Sequence, residues 1–110
     1  MTDDFVYLHW TCRNLEEARK ICRTLVEKRW VACANLLPEV ESIYLWKGKV
    51  ETEKEVKVIL KTKNSLFDKI RTYIETHGSY EVPEVTMIKL DAINPSYLAW
   101  LKETCTSSER

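Results

Sequence analysis

The sequence predicts an α+β domain in which a small antiparallel sheet carries helices on one face. Three observations lead there. Short runs rich in β-branched and aromatic residues alternate with two segments of helical apolar spacing. Each of those helical segments opens on a polar capping residue. A single Lys47-Gly48 pair joins two long extended runs, as a hairpin turn would.

Residues 5–11 (F-V-Y-L-H-W-T) read as the first strand. Asn14 then caps a helix, with Glu17 at the third helical position reaching back as in a capping box. Ala18, Ile21, Cys22, Leu25 and Val26 form its buried stripe. Residues 31–37 are an apolar run and residues 40–46 resume as strand. Pro38 between them implies one long strand bent by a bulge or lying at an edge. Beyond the turn, residues 50–62 return as its hairpin partner, with Val56, Val58 and Leu60 alternating against Lys57, Ile59 and Lys61.

Ser65 and Asp68 make a second capping box before a helix whose stripe is Leu66, Phe67, Ile70, Tyr73 and Ile74. Gly78 is expected to end that helix in the left-handed conformation. Residues 85–90 form a fourth strand. Asn94-Pro95 opens a short terminal helix with Tyr97, Leu98 and Leu101 on one side. No repeat, linker or low-complexity stretch interrupts this order, so residues 1–110 form a single domain. The order β-α-β-β-α-β, with both crossovers right-handed, is that of a ferredoxin-like sandwich with a C-terminal helical tail. Its second sheet face has no helix layer. The strands hold more apolar side chains than one face needs, which predicts a protein partner there, most simply a second copy of the chain.

Composition narrows the function. Lys plus Arg and Asp plus Glu are each 17, so net charge is zero and a nucleic-acid or anionic-membrane partner is not expected. No apolar run approaches the roughly 20 residues of a membrane span. The acidic start Met1-Thr2-Asp3-Asp4 lacks the basic and apolar regions of a signal peptide, so a cytoplasmic location is expected. Cys12, Cys22, Cys33 and Cys105 form no C-x-x-C pair and read as reduced thiols. Cys22 lies on the helical stripe and belongs to the core. Cys105, in the tail, is expected to be exposed and incidental.

Related topologies are excluded by what they would need. An RNA-recognition module stacks bases on central-strand aromatics, and residues 55–62 hold none. A copper-chaperone domain carries C-x-x-C after its first strand, where Cys12 is followed three residues later by Leu15. An acylphosphatase-like enzyme needs a glycine-rich loop, which residues 10–14 lack. Nucleophilic catalysis at Cys33 would require a base, for which His77 is the candidate. No enzymatic activity is expected.

Five pieces in order, V-A-C-A-N-L-L-P, S-I-Y-L-W-K-G-K-V, I-L-K-T, Y-E-V-P-E and Y-L-A-W-L, resemble the divalent-ion tolerance (CutA) family. The resemblance runs from the first strand to Leu101. It implies a tight homotrimer with long hairpin strands exchanged between neighbours, and a role in tolerance of copper or another divalent metal ion. It also implies a likeness to PII-type signalling trimers, so a scaffold or sensor for a small anion or protein partner is the second reading. For metal binding it points to Cys33, His77 and Glu84, a soft thiolate, an imidazole and a hard oxygen suited to Cu or Zn. Their wide spacing means that only the fold or the trimer could bring them together. Two departures stand out: Trp10 occupies a place where the family can carry cysteine, with Cys12 two residues on, and Gly78-Ser79-Tyr80 replaces H-P-Y.

Each candidate has a plainer structural role. Cys33 could be a small buried hydrophobe in a central strand, His77 a helix C-terminal residue favoured by the macrodipole, and Glu84 a solvated turn acid. Ser42, Tyr44, Trp46, Lys61, Tyr80, Tyr97 and Trp100 are candidates for an interface or ligand cleft, with Trp46 assigned to intersubunit packing.

Overall fold

A computed structural model describes residues 4–106, so most of the acidic start (residues 1–3) lies outside it. Strand β1 (Phe5–Cys12) leads to helix α1 (Leu15–Glu27), followed by the long strands β2 (Val31–Trp46) and β3 (Lys49–Lys63). Helix α2 (Phe67–His77), strand β4 (Val85–Lys89) and helix α3 (Pro95–Thr104) complete the chain. The four strands form one sheet in the order β2-β3-β1-β4, and every neighbouring pair is antiparallel.

Opposed residues on neighbouring strands share a face. Val6, Leu8, Trp10 and Cys12 stand opposite Thr62, Leu60, Val58 and Val56, and all eight are buried. That face meets Ala18, Ile21 and Leu25 of α1 and Ile70 and Ile74 of α2 in one core. The other face carries Tyr7, His9 and Thr11 of β1 opposite Lys61, Ile59 and Lys57 of β3, all partly exposed. It is a mixed surface, as the alternation of Lys57, Ile59 and Lys61 indicates, because lysines flank the aliphatic side chain on β3.

The helix boundaries follow local chemistry. The Asn14 Oδ1 accepts from the Glu17 N–H at 2.8 Å, which satisfies one of the orphan donors of α1. The reciprocal half of the capping box is absent, because the Glu17 carboxylate is turned to Ser79. Val26 is an exposed residue outside the stripe. Ser65 sits in a 3₁₀ turn (Asn64–Leu66) ahead of α2, whose cap position falls on Leu66 and not on Ser65. Asn94 precedes α3 with its side chain donating to Ser96 Oγ, leaving Pro95 to start the helix.

Lys47 and Gly48 have φ of 50° and 83°, the pair of positive values that a two-residue hairpin turn requires. Gly78 behaves differently from expectation. Its φ is −79°, ordinary for any residue, yet a Cβ there would lie 2.8 Å from the Ile74 carbonyl oxygen. Glycine is needed for close approach, not for a left-handed backbone.

The tail is anchored. Arg29, itself at φ 65°, donates from Nε and Nη2 to the carbonyls of Thr104 and Glu103, each at 3.0 Å. A guanidinium at the C-terminal end of α3 complements the helix dipole. Cys105, expected to be exposed, is wholly buried, with its thiol donating to the Trp30 carbonyl at 3.2 Å.

Gly78→Ala should destabilise the fold by about 1–3 kcal/mol, the usual cost of overpacking. At a fixed protein concentration its melting temperature should fall by at least about 5 °C. An unchanged midpoint would show that the chain relaxes freely around Ile74.

Candidate functional site

Strand β2 runs out of phase with simple alternation at two places, and both decide where functional side chains point. Val31 opposes Thr62 on the core face, while Cys33 opposes Lys61, one step along β3 for two along β2. The extra residue, Ala32, moves Cys33 to the open face. A second shift between Leu37 and Val40 takes three residues of β2 against two of β3, from Lys57 to Glu55. Pro38 falls in this bulge, as its missing N–H suggests. Ser42, Tyr44 and Trp46 then stand opposite Glu53, Glu51 and Lys49.

The metal candidates are thereby placed. Cys33 is on an edge strand and partly exposed, not buried in a central one, because the Ala32 bulge turns it away from the core. The other three thiols are buried. Burial pushes Cys12 up to about 11 and Cys22 up to about 12, which leaves both protonated at neutral pH. Cys12, on the core face and wholly buried, is not presented to a ligand on the open face.

Glu84 accepts from Thr11 Oγ1 at 2.8 Å, Lys57 Nζ at 3.1 Å and Thr86 Oγ1 at 3.0 Å. Partial burial disfavours its charged form, but these hydrogen bonds and the nearby ammonium outweigh it and hold its pKa below the ordinary value. His77 ends α2 with its ring stacked on Tyr73 at a 3.9 Å centroid distance, and its Nδ1 lies 3.0 Å from the Tyr73 carbonyl. This is the C-terminal placement favoured by the helix dipole. Cys33 and Glu84 lie beside Lys61 and Lys57, four residues apart on β3, or about 13 Å along the strand. Among the described residues no three His, Cys, Asp or Glu side chains converge in a metal-holding group. One chain alone does not hold the three candidates together.

The cleft candidates divide into two places. Ser42, Tyr44, Trp46 and Tyr80 line a cleft of about 670 Å³ between the hairpin and the segment from Tyr80 to Glu84. Lys61, Tyr97 and Trp100 lie elsewhere: the Lys61 ammonium sits over the rings of Tyr7 and Tyr97, and Tyr97 stacks on Trp100. Sequence reasoning missed the acidic wall of the cleft, Glu51, Glu53, Glu55 and Glu81. Glu51, Glu53 and Glu55 recur at every second position, which was a visible signal for a single strand face.

A short network fixes the loop that closes the cleft. Glu17 accepts from the Ser79 N–H at 2.9 Å and from its hydroxyl at 2.7 Å, while Arg13 Nε donates to Ser79 Oγ at 2.9 Å. The Arg13 guanidinium lies 4.7 Å from the Tyr80 ring centroid, and the Tyr80 hydroxyl donates to Glu55 at 2.5 Å. Burial, together with the Glu55 hydrogen bond and charge, raises the Tyr80 pKa and keeps its phenol protonated.

A family model described as CutA1 divalent ion tolerance protein matches residues 6–104. The chain belongs to the CutA1 divalent ion tolerance family. Among CutA relatives, human Protein CutA is 40% identical over 97 residues, covering 88% of this chain and 54% of that protein. The chain thus spans about half the length of the mammalian CutA proteins that it matches. The divalent-cation tolerance protein CutA of Pyrococcus horikoshii is 39% identical over 98 residues, covering 89% of this chain and 95% of that one. The crystal structure of CutA1 from Oryza sativa superposes with a TM-score of 0.92 at 33% identity, covering 97% of this chain and 98% of that one.

Because Glu84 titrates lower in the folded chain than in the unfolded one, its contribution is fully present above its ordinary value of 4.5. It is lost as pH falls through the lowered folded value. Glu84→Gln should flatten the acid limb of a denaturant-midpoint-against-pH profile and leave the midpoint near pH 7 lower. Parallel acid limbs for the two proteins would show that Glu84 is not the group responsible.

Proposed function

We propose that this chain is a homotrimer of ferredoxin-like subunits that binds a divalent or soft metal ion, copper foremost, in metal tolerance. It works as a binding protein in the cytoplasm, not as an enzyme. The observation that carries the assembly is the hairpin tip. Ile43, Leu45 and Val50 are 67%, 70% and 72% exposed, a density of aliphatic surface that an isolated two-stranded projection does not sustain in water. A neighbouring copy is the simplest cover, and closed symmetry makes the same contact recur in every subunit.

Trp46, assigned to the interface on sequence grounds, lines the cleft on the opposite side of the strand from Leu45. Leu45 and its two neighbours are therefore the intersubunit anchors proposed here.

The metal role rests on family membership and on two features of the open face. Cys33 is the one thiol of the four that is not buried, and the Glu84 pKa is held low, favouring its carboxylate form. Since a single subunit does not gather Cys33, His77 and Glu84, the site we propose is completed between copies. Cys12, Cys22 and Cys33, which form no disulfide among the described residues, fit a reducing compartment. Cys33 on the open face and His77 at the end of α2 are separate, which supports a non-catalytic role. The rival reading, a sensor of small anions, is disfavoured in the cleft, where five glutamates face one arginine.

Light scattering coupled to size exclusion should return three times the 13.0 kDa chain mass. Leu45→Asp should shift the population to monomer or aggregate at micromolar concentration. A wild-type mass of one chain overturns the trimer. Cys33→Ser should weaken Cu(I) affinity, read by chelator competition, by at least the roughly 10–100-fold typical of losing even an outer-shell partner. Equal affinity in both proteins would remove Cys33 from the site.

A further inference from the structure

On the helical side of the sheet, α2 and the turn after α1 enclose an open groove of about 460 Å³. Trp30 forms one side. The other is a stripe of α2, with Lys69, Tyr73 and His77 in successive turns and Thr72 and Thr76 beside them. The half-buried rings of Trp30 and Tyr73 meet at 87° with centroids 6.2 Å apart, which makes a right-angled aromatic corner. His77 extends the Tyr73 wall, its ring inclined by only 19° to it. The corner is fixed from behind. The Trp30 carbonyl accepts from the Thr62 hydroxyl and the Cys105 thiol, and its N–H donates to the Leu25 carbonyl at 3.2 Å. Rings held in place while partly exposed lose little further freedom when a ligand is laid on them.

Charge says what kind of ligand fits. The ammoniums of Lys28 and Lys69 each lie 5.0 Å from the centroid of the Trp30 ring. A ring quadrupole attracts a cation but has no net charge, so two ammoniums on one ring still repel each other. Among the described residues no carboxylate forms an ion pair with Lys28. Asp68, the acid in the lining, is turned to Arg71 at 3.5 Å. An aromatic corner of small-molecule size with two cations on its edge is complementary to a flat apolar body that carries an oxyanion.

We propose that this groove binds a small aromatic anion, with its ring in the corner of Trp30 and Tyr73 and its oxyanion directed to Lys28 and Lys69. Lysine acts as a point charge, so carboxylate and phosphate share the chemistry that the site recognises. His77 belongs to the metal reading as well, but enters here only as a wall through its stack on Tyr73. Trp30, Tyr73, Lys28 and Lys69, on which the groove stands, have no part in that reading.

The test is calorimetric titration of the intact, assembled protein with 2-naphthoate at low ionic strength, one site per chain being expected. Adenosine monophosphate, titrated beside it, distinguishes a phosphate from a carboxylate as the oxyanion, and binding of either supports the site. Acetate has the charge without the ring and 2-naphthalenemethanol the ring without the charge, so each should bind at least about tenfold more weakly than 2-naphthoate. Lys28→Glu should weaken 2-naphthoate by at least about tenfold, and Trp30→Leu should weaken it too. Lys54→Glu, the same charge change on the hairpin, should leave it unchanged. So should Cys33→Ser, so that this site and the metal reading fail separately. Absence of binding of both anions at millimolar concentration overturns the proposal. Equal affinity for 2-naphthalenemethanol or in Lys28→Glu does so as well, as does an equal loss in Lys54→Glu, which would reveal only bulk charge. If Trp30→Leu fails to fold by circular dichroism, Lys28→Glu and the uncharged analogue decide.

Discussion

Two extra residues in one strand govern where the chemistry of this protein is displayed. A regular β-strand sends alternate side chains to opposite faces, so each inserted residue reverses the phase of everything beyond it. The insertion at Ala32 turns Cys33 from the core to the open face, opposite Lys61. The insertion between Leu37 and Val40 reverses the phase again, so that Ser42, Tyr44 and Trp46 share a face with the glutamates of β3. Without the second bulge the aliphatic Ile43 and Leu45 would occupy the cleft side, and the aromatic row would face away from it.

The core supports this arrangement from the opposite side of the sheet. Trp10, Leu8 and Leu60 are fully buried against α1 and α2, and each fully buried large side chain of this kind contributes about 1.5–3 kcal/mol relative to exposure. The central strands β1 and β3 are thereby fixed in register. Projection of the hairpin beyond them is tolerable only because its root is tied down. The Tyr80 hydroxyl on Glu55, with Arg13 stacked on the same ring, secures the closing loop to β3. Ser79 ties that loop to the first turn of α1 through Glu17. A helix N-terminus, a loop and a strand are thus coupled through one short polar chain, and the cleft inherits its shape from that chain.

The cysteines illustrate how differently one residue type can be used. Cys12 and Cys22 are packing atoms whose thiols burial keeps protonated. Cys105 fills the joint between α3 and the start of β2, beside the Trp30 carbonyl and the Thr62 hydroxyl. Arg29 closes that joint from outside by binding the last carbonyls of α3. Cys33 alone remains approachable.

The amino-acid sequence by itself determined the elements and their order. Apolar spacing marks α1 and α2, the Pro38 interruption marks a bent β2, and Lys47-Gly48 marks the turn, because each signal acts within a few residues of where it is written. The family pattern was equally legible. Tertiary structure decided everything that depends on contacts distant in the chain. Glu17 abandons its capping role because Ser79 reaches it from 62 residues away. Gly78 is required by a carbonyl that only the finished helix end presents. Cys105 is buried because Arg29 holds the tail down. The face chosen by Cys33, and the division of the aromatic candidates between a cleft at the hairpin and a stack around Lys61, follow from strand register. Register is set by pairing energy across the whole sheet, and no local run of residues encodes it.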